Sequence, residues 1–301
     1  MESKVVNAKN PNFTHMVLAG GGMLGTVYIG AFRYLYENPE LIANIKTVIG
    51  TSIGAFFAIA FVLNISISEI ERFWNDFLNE NNKKFDINII QLFEIFNTLG
   101  LDDSSRRLDI IIKNLHNITF LDLAKKTGKD LIICATNAHT MKVVYFSVDN
   151  TPNVLVSDAL HASCSLPLIN KPVKIGDTYY IDGGITENIP LSCIKENIDF
   201  NNILILNLLS PDIDPLNELN LPILLLNILQ TILKNESLLL MYKKKYKYYV
   251  EFVNIPIKAV EYIVKDDKIY ICTSSEKLDK CFEIGYQTMY SKIKEWKVIN
   301  I

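Results

Sequence analysis

Residues 48–57 read V48-I-G-T-S-I-G-A-F-F57, and two apolar runs of different character meet there across a glycine-flanked serine. Upstream, I45-K-T-V-I49 has the length and β-branched content of a short buried strand. Downstream, A55-F-F-A-I-A-F-V-L63 is apolar at every position, as in a helix buried nearly all round. The glycines of G50-T-S-I-G54 mark a sharp turn between them. The same order occurs just before it: H15-M-V-L-A19, then Gly20, Gly21 and Gly22, then helical spacing through Val27, Ala31, Tyr34 and Leu35. Two successive strand-to-helix units predict an α/β fold with a parallel core.

Further along, Lys129–Thr136, Lys142–Val148 and Ile203–Leu208 read as strands, and Val156–Ser163 reads as a short helix stopped by Pro167. Val173–Ile181 has the pattern of a hairpin turning near Gly176 and Asp177. From about 66 to 116 the texture is that of inserted amphipathic helices, opening on S68-E-I-E71 as a capping box, with another helical piece at Leu92–Leu99. Pro222–Leu233 reads as an apolar helix with proline at its first position, and the last fifty residues as shorter strand-like and helical pieces. No internal repeat or flexible linker divides the chain. The expected organisation is an N-terminal extension (1–14) and one domain (15–301), with its core at about 15–210 and residues 211–301 packed on that core or at a lipid interface.

Hydrophobic residues make up 49% of the 301 and charged ones 21%, which excludes a disordered chain. Mean hydropathy is +0.18, on the apolar side. A net charge of -3 gives no global attraction to polyanions, so nucleic acid is not an expected partner. Cysteines at 134, 164, 193, 272 and 281 form no close pair, and the four histidines share no zinc spacing with them, so a reduced protein without metal or cofactor is expected. The first thirteen residues lack the basic and apolar regions of a secretory signal. The apolar segments around 53–63 and 221–233 fall short of the roughly 20 residues a spanning helix needs. The expectation is a cytoplasmic or intracellular protein, at most peripheral at membranes.

Three features carry chemistry. G50-T-S-I-G54 matches G-x-S-x-G between a strand and a helix, a context in which Ser52 projects as a nucleophile. A helix-capping serine is the alternative, and it leaves Gly50 and Gly54 unexplained. Gly20-Gly21-Gly22 with Gly25 can present bare backbone N–H groups to an anion, or form a tight turn with no ligand. Contiguous glycines do not fit a dinucleotide fingerprint, and no G-K-[ST] follows for a phosphate loop. For a base, the chain offers His116, His139 and His161, none with a distinctive flank, and Asp182, which ends Tyr179-Tyr180-Ile181 and precedes Gly183-Gly184. An aspartate with its usual pKa near 4 needs close placement and shielding to serve as a base.

Taken in order, G20-G-G-M-L-G25, G50-T-S-I-G54, A135-T-N137, Ala162–Pro167 and D182-G-G184 followed by Asn188-Ile189-Pro190 resemble the patatin-like phospholipase family. The resemblance spans residues 20 to 190 and implies a three-layer α/β/α fold with a mainly parallel central sheet and inserted helices. It also implies a Ser52–Asp182 dyad acting without histidine, an oxyanion hole from Gly20, Gly21 and Gly22, and supporting roles for Gly25, Gly50, Gly54, Gly183 and Gly184. Leu24 departs from the family pattern, which commonly places Arg or Lys there. The implied activity is that of a lipid acyl hydrolase, of phospholipase A or lysophospholipase type, working through an acyl-enzyme on phospholipid or another fatty-acyl ester. Alternatives are a catalytically weak lipid- or protein-binding module on the same fold, or a carboxylesterase or thioesterase.

A candidate lipid interface collects Trp74, Leu224, Leu225, Lys243, Lys244, Lys245 and Tyr246, since basic residues beside aromatics suit anionic head groups at a peripheral membrane surface. Core packing for the apolar members, a solvated rim for the lysines, and a groove for a partner protein are the competing readings. No motif bears on a protein activator.

Overall fold

The computed structural model describes residues 11–81, 100–102, 117–209, 231–232, 236–253, 255, 262–265, 268–271 and 275–299. Its elements run β1 (His15–Leu18), α1 (Thr26–Glu37), β2 (Thr47–Thr51), α2 (Ile53–Val62), α3 (Ile67–Asn81), β3 (Gly100–Asp102), α4 (Phe120–Thr127), β4 (Asp130–Asn137) and β5 (Lys142–Phe146). They continue with α5 (Val156–Ser163), β6 (Leu168–Asn170), β7 (Val173–Ile175), β8 (Thr178–Asp182), α6 (Gly184–Glu187), β9 (Ile203–Leu208) and α7 (Glu236–Lys245). The last are β10 (Tyr248–Phe252), β11 (Tyr262–Lys265), β12 (Lys268–Ile271) and α8 (Ser275–Ile299).

Alternation along β1 shows why the chain forms layers. Met16 and Leu18 enter one buried cluster, while Val17 and Ala19 enter another on the opposite face. A strand covered on both faces is apolar throughout, and all six residues of β9 are accordingly buried. The main sheet has the order β10-β9-β1-β2-β4-β8-β7, with β5 also paired to β4. From β10 to β4 every pairing is parallel, whereas β8, β7 and β5 add antiparallel partners beyond. Helices α1, α2 and α8 pack in the cluster on one face; Tyr242 and Tyr246 of α7, with Ile189 and Leu191, pack on the other. The result is a three-layer α/β/α arrangement around a mixed, mainly parallel sheet.

Every residue of α2 is buried, as its uniform apolarity requires. Phe57 meets Tyr28, Phe32 and Phe56 edge-on with ring centroids 5.3, 5.4 and 5.2 Å away. Burying each such ring contributes about 2–3 kcal/mol. Trp74 joins this cluster at 2% exposure, and its indole N–H donates to Thr26 Oγ1 at 2.9 Å. The expectation that Trp74 faces lipid is therefore corrected: once its N–H has a buried acceptor, the ring is more stable in the core.

Two further readings change. The cap of helix α3 (Ile67–Asn81) is Ser66, two residues before the Ser68 of the anticipated capping box. Glu69 N–H donates to Ser66 Oγ at 3.3 Å, and Glu69 Oε2 accepts from Ser66 N–H at 3.2 Å. The C-terminal region holds one 25-residue helix, α8, in place of short pieces alone. It lies against α1 so closely that a Cβ on Gly285 would stand 1.9 Å from Val27 O, and one on Gly30 1.8 Å from Phe282 O. Backbone-to-backbone contact of this kind is open only to glycine.

Residues Leu92–Leu99 and most of the apolar run Pro222–Leu233, with Leu224 and Leu225, lie outside the described residues, as does His116. Among those described, no helix is long and apolar enough to cross a membrane.

Candidate active site

Strand β2 ends at Thr51 and α2 starts at Ile53, so Ser52 alone makes the turn, with φ 52° and ψ -124°. A non-glycine residue in this region costs about 1–3 kcal/mol and is held only by firm surroundings. Gly50 and Gly54 permit it: a Cβ on Gly50 would meet Gly54 O at 2.5 Å, and one on Gly54 would meet Leu18 O at 2.3 Å. Ser52 occupies the N-cap position of α2, yet its side chain makes no capping bond. It lies instead beside the Asp182 carboxyl group, on whose pKa it acts.

The sheet brings these two residues together. β5 occupies one edge of β4 over Ile133–Asn137, so β2 and β8 share the other edge end to end. Thr51 pairs with Cys134 and Asp182 with Ala135, adjacent positions on one strand. Residues 130 positions apart in sequence thus meet through the register of a third segment.

Asp182 is only 4% exposed. Its N–H donates to Ser165 O at 2.8 Å, its carbonyl accepts from Thr136 Oγ1 at 2.9 Å, and its Oδ1 accepts from Gly184 N–H at 2.7 Å. Burial raises its pKa to about 6, with the nearby Ser52 hydroxyl and the Gly184 N–H pulling the other way. Gly183 is needed for close packing, since a Cβ there would meet Cys134 O at 2.4 Å. Among the described residues no histidine is bonded to Ser52 or Asp182: His139 is in an exposed turn beside Tyr179, and His161 is buried on α5.

The glycine loop departs in part from expectation. Gly20 N–H donates to Asn188 O at 3.2 Å, and Asn188 Nδ2 donates back to Gly20 O at 3.3 Å. Gly20 is thereby clamped, and its N–H is occupied rather than offered to an anion. Gly21 and Gly22 have no acceptor for their N–H groups among the described residues. Gly22 has φ +53° and open space where a side chain would be. Gly25 abuts the elbow, since a Cβ there would lie 2.4 Å from Ile53 Cγ1. Leu24, at the position where the family commonly has a cation, is fully buried, so this site is apolar interior.

Sequence reading missed Ser163. Its hydroxyl accepts from Ser52 N–H at 2.7 Å and donates to Cys134 O at 2.6 Å, tying the elbow to β4. It lies within the Ala162–Pro167 motif, but nothing local distinguishes it from Ser165.

Of the proposed lipid-facing residues, Tyr246 and the three lysines are described on α7 and just after it. Tyr246 is 4% exposed and stacks edge-on with Phe200 at 5.1 Å, which corrects its assignment to a lipid surface. Lys243, Lys244 and Lys245 are exposed. Lys243 pairs with Glu251 at 2.7 Å, and Lys245 Nζ lies 4.2 Å from the Phe200 ring centroid. These lysines precede Tyr248, which is level through the register with Val48, toward the sheet edge opposite the Ser52 turn.

Comparison with known proteins bears on the same residues. A family model described as patatin-like phospholipase matches residues 16–192, more than half of the chain. "Uncharacterized protein R571" of Acanthamoeba polyphaga mimivirus is 30% identical over 189 residues, covering 62% of each chain. "Probable lipid hydrolase 463L" of Invertebrate iridescent virus 6 is 31% identical over 186 residues, covering 58% of this chain and 61% of that one. This chain therefore spans less than two thirds of the length of these relatives. The crystal structure of VipD from Legionella pneumophila matches with a TM-score of 0.54 at 17% identity, over 95% of this chain and 67% of that one, a likeness of fold alone.

Proposed function

The chain belongs to the patatin-like phospholipase family, and from that membership we propose that it hydrolyses fatty-acyl esters of lipids with Ser52 as nucleophile and Asp182 as base. The observation that carries the reading is a non-capping serine on a strained elbow, set by the β4 register beside a buried carboxyl group whose pKa is raised to about 6. A carboxylate of that basicity is better matched to a serine hydroxyl near neutral pH than one at 3.8.

In the proposed sequence, Ser52 Oγ attacks the acyl carbonyl carbon as Asp182 takes its proton. Gly21 and Gly22 N–H groups receive the oxyanion, a contribution of about 3 kcal/mol per donor in comparable sites. Collapse of the tetrahedral intermediate expels the alcohol, which takes the proton from Asp182 and leaves Ser52 acylated. Water then attacks the acyl group, gives its proton to Asp182, and releases the fatty acid as Ser52 recovers its hydrogen. The iridescent-virus relative, described as a probable lipid hydrolase, supports a lipid ester as substrate. A phospholipid is the class proposed, with a peripheral membrane surface as its source.

Reaction with a fluorophosphonate followed by peptide mass analysis tests the nucleophile. Wild type is expected to carry the adduct on Ser52, and S52A and D182A to lose at least about a thousandfold of fatty-acid release from phospholipid vesicles. An adduct on another residue overturns the assignment. Turnover of small soluble esters without release from vesicles favours a carboxylesterase or thioesterase.

A further inference from the structure

Glu187 closes the short helix α6, is 9% exposed, and has no cationic partner among the described residues. A carboxylate so placed is costly to desolvate unless several donors converge on it. They do: Oε1 accepts from Leu191 N–H at 2.9 Å, Ser192 N–H at 2.8 Å and the Ser192 hydroxyl at 2.8 Å. Oε2 accepts from the Tyr145 hydroxyl of β5. The backbone of the same residue reaches the nucleophile's strand, since its carbonyl accepts from Thr51 Oγ1 at 3.3 Å and Cys134 Sγ at 3.6 Å.

Asn188 follows directly. It holds Gly20 by two hydrogen bonds, and a Cβ on Gly20 would lie 3.2 Å from Ser52 Cβ. The side chain of Glu187 therefore folds the 188–192 turn back on itself, its backbone joins that turn to Thr51, and its neighbour sets the glycine loop beside the serine.

We propose that Glu187 is a positioning residue for acyl transfer: with Tyr145, Leu191 and Ser192 it fixes the turn carrying Asn188, and Asn188 fixes Gly20 against Ser52. This inference rests on the acyl-hydrolase reading above. It assigns Glu187 no contact with substrate and no proton in the reaction. Its carboxylate is distinguished by acceptor-only chemistry, since four donors meet two oxygens. Gln at this position keeps one acceptor oxygen and the length of the chain, and the Tyr145 hydroxyl can rotate to accept from the new amide. Ala leaves the Ser192 N–H and hydroxyl without this partner and Leu191 N–H with Ile189 O alone.

The test is the rate of fluorophosphonate labelling of Ser52 in the full chain, followed against pH beside thermal melting. E187A and N188A are each expected to slow labelling about tenfold or more at the plateau. The pH midpoint should stay with Asp182, because neither variant touches that carboxyl group. E187Q should recover to within about threefold of wild type. The E187A/N188A double variant should be no slower than the slower single, because both changes release the same clamp. Additive losses in the double variant, or wild-type labelling by E187A, overturn the proposal. If E187A shows no cooperative melt, Y145F carries the test. Slowing by about threefold or more with a wild-type midpoint supports the proposal, and an unchanged rate overturns it. Absence of labelling on Ser52 in folded wild type instead overturns the acyl-hydrolase reading, and this inference with it.

Discussion

Desolvation lifts Asp182 from 3.8 to about 6 against the lowering influence of Ser52 and of the bond from Gly184 N–H. The folded protein therefore binds this proton more tightly than the unfolded chain does. Its contribution to stability is fully present below about pH 4, is lost as pH rises to about 6, and stays lost above that. Two pKa units correspond to about 3 kcal/mol, so D182N is expected to be more stable than wild type by up to that amount at pH 7.5, with the gain shrinking toward zero near pH 4. Urea denaturation at the two pH values measures it, and equal stability at pH 7.5 would show that burial does not penalise the charge. The same ionisation predicts that kcat/KM of wild type climbs through a midpoint near 6, whereas D182N is inactive throughout. Ser52 and Asp182 were legible as candidates because each needs glycines beside it to admit close backbone approach. Asn188 was visible only as a member of a motif, and Ser163 and Glu187 had no assigned role, because what they do lies in bonds to residues far along the chain.

At the scale of elements, β2, α2 and the β7–β8 hairpin were readable from local pattern, since strand period, uniform apolarity and a glycine turn each constrain a few neighbouring residues. Helix α8 was obscured by Gly285, which by propensity costs about 1 kcal/mol in a helix interior and reads as a break. Its value emerges only against α1, where the backbones approach too closely for any side chain. G285V is accordingly expected to destabilise the protein by at least about 3 kcal/mol, read as a lower urea midpoint or loss of soluble protein. A change below 1 kcal/mol would mean that the two helices separate without cost. The α3 cap shows a smaller limit of local reading: Ser66 and Ser68 are both chemically able to cap, and only the reciprocal bonds of Ser66 with Glu69 distinguish them.

For the whole molecule, the family match ends at 192, but the packing continues beyond it. β10 pairs with β9 from Tyr248 to Phe252, and Trp296 of α8 meets Tyr248 with centroids 4.9 Å apart. Phe13, from before β1, meets Tyr248 at 5.0 Å. We propose that these parts fold as one unit, so a chain ending at Leu209 is expected to melt without a cooperative transition while the full chain melts with one. Cooperative melting of the shorter chain near the full-length midpoint would refute this. Sequence alone determined the strand–serine–helix elbow, the glycine turns and the order of the motifs, because these are demands of local backbone geometry met by residues a few positions apart. Tertiary structure alone decided that Gly20 N–H is occupied, that Trp74 and Tyr246 turn inward, and that burial raises the Asp182 pKa. Donor occupancy, burial and desolvation belong to the neighbours that folding supplies, and those neighbours come from distant parts of the chain.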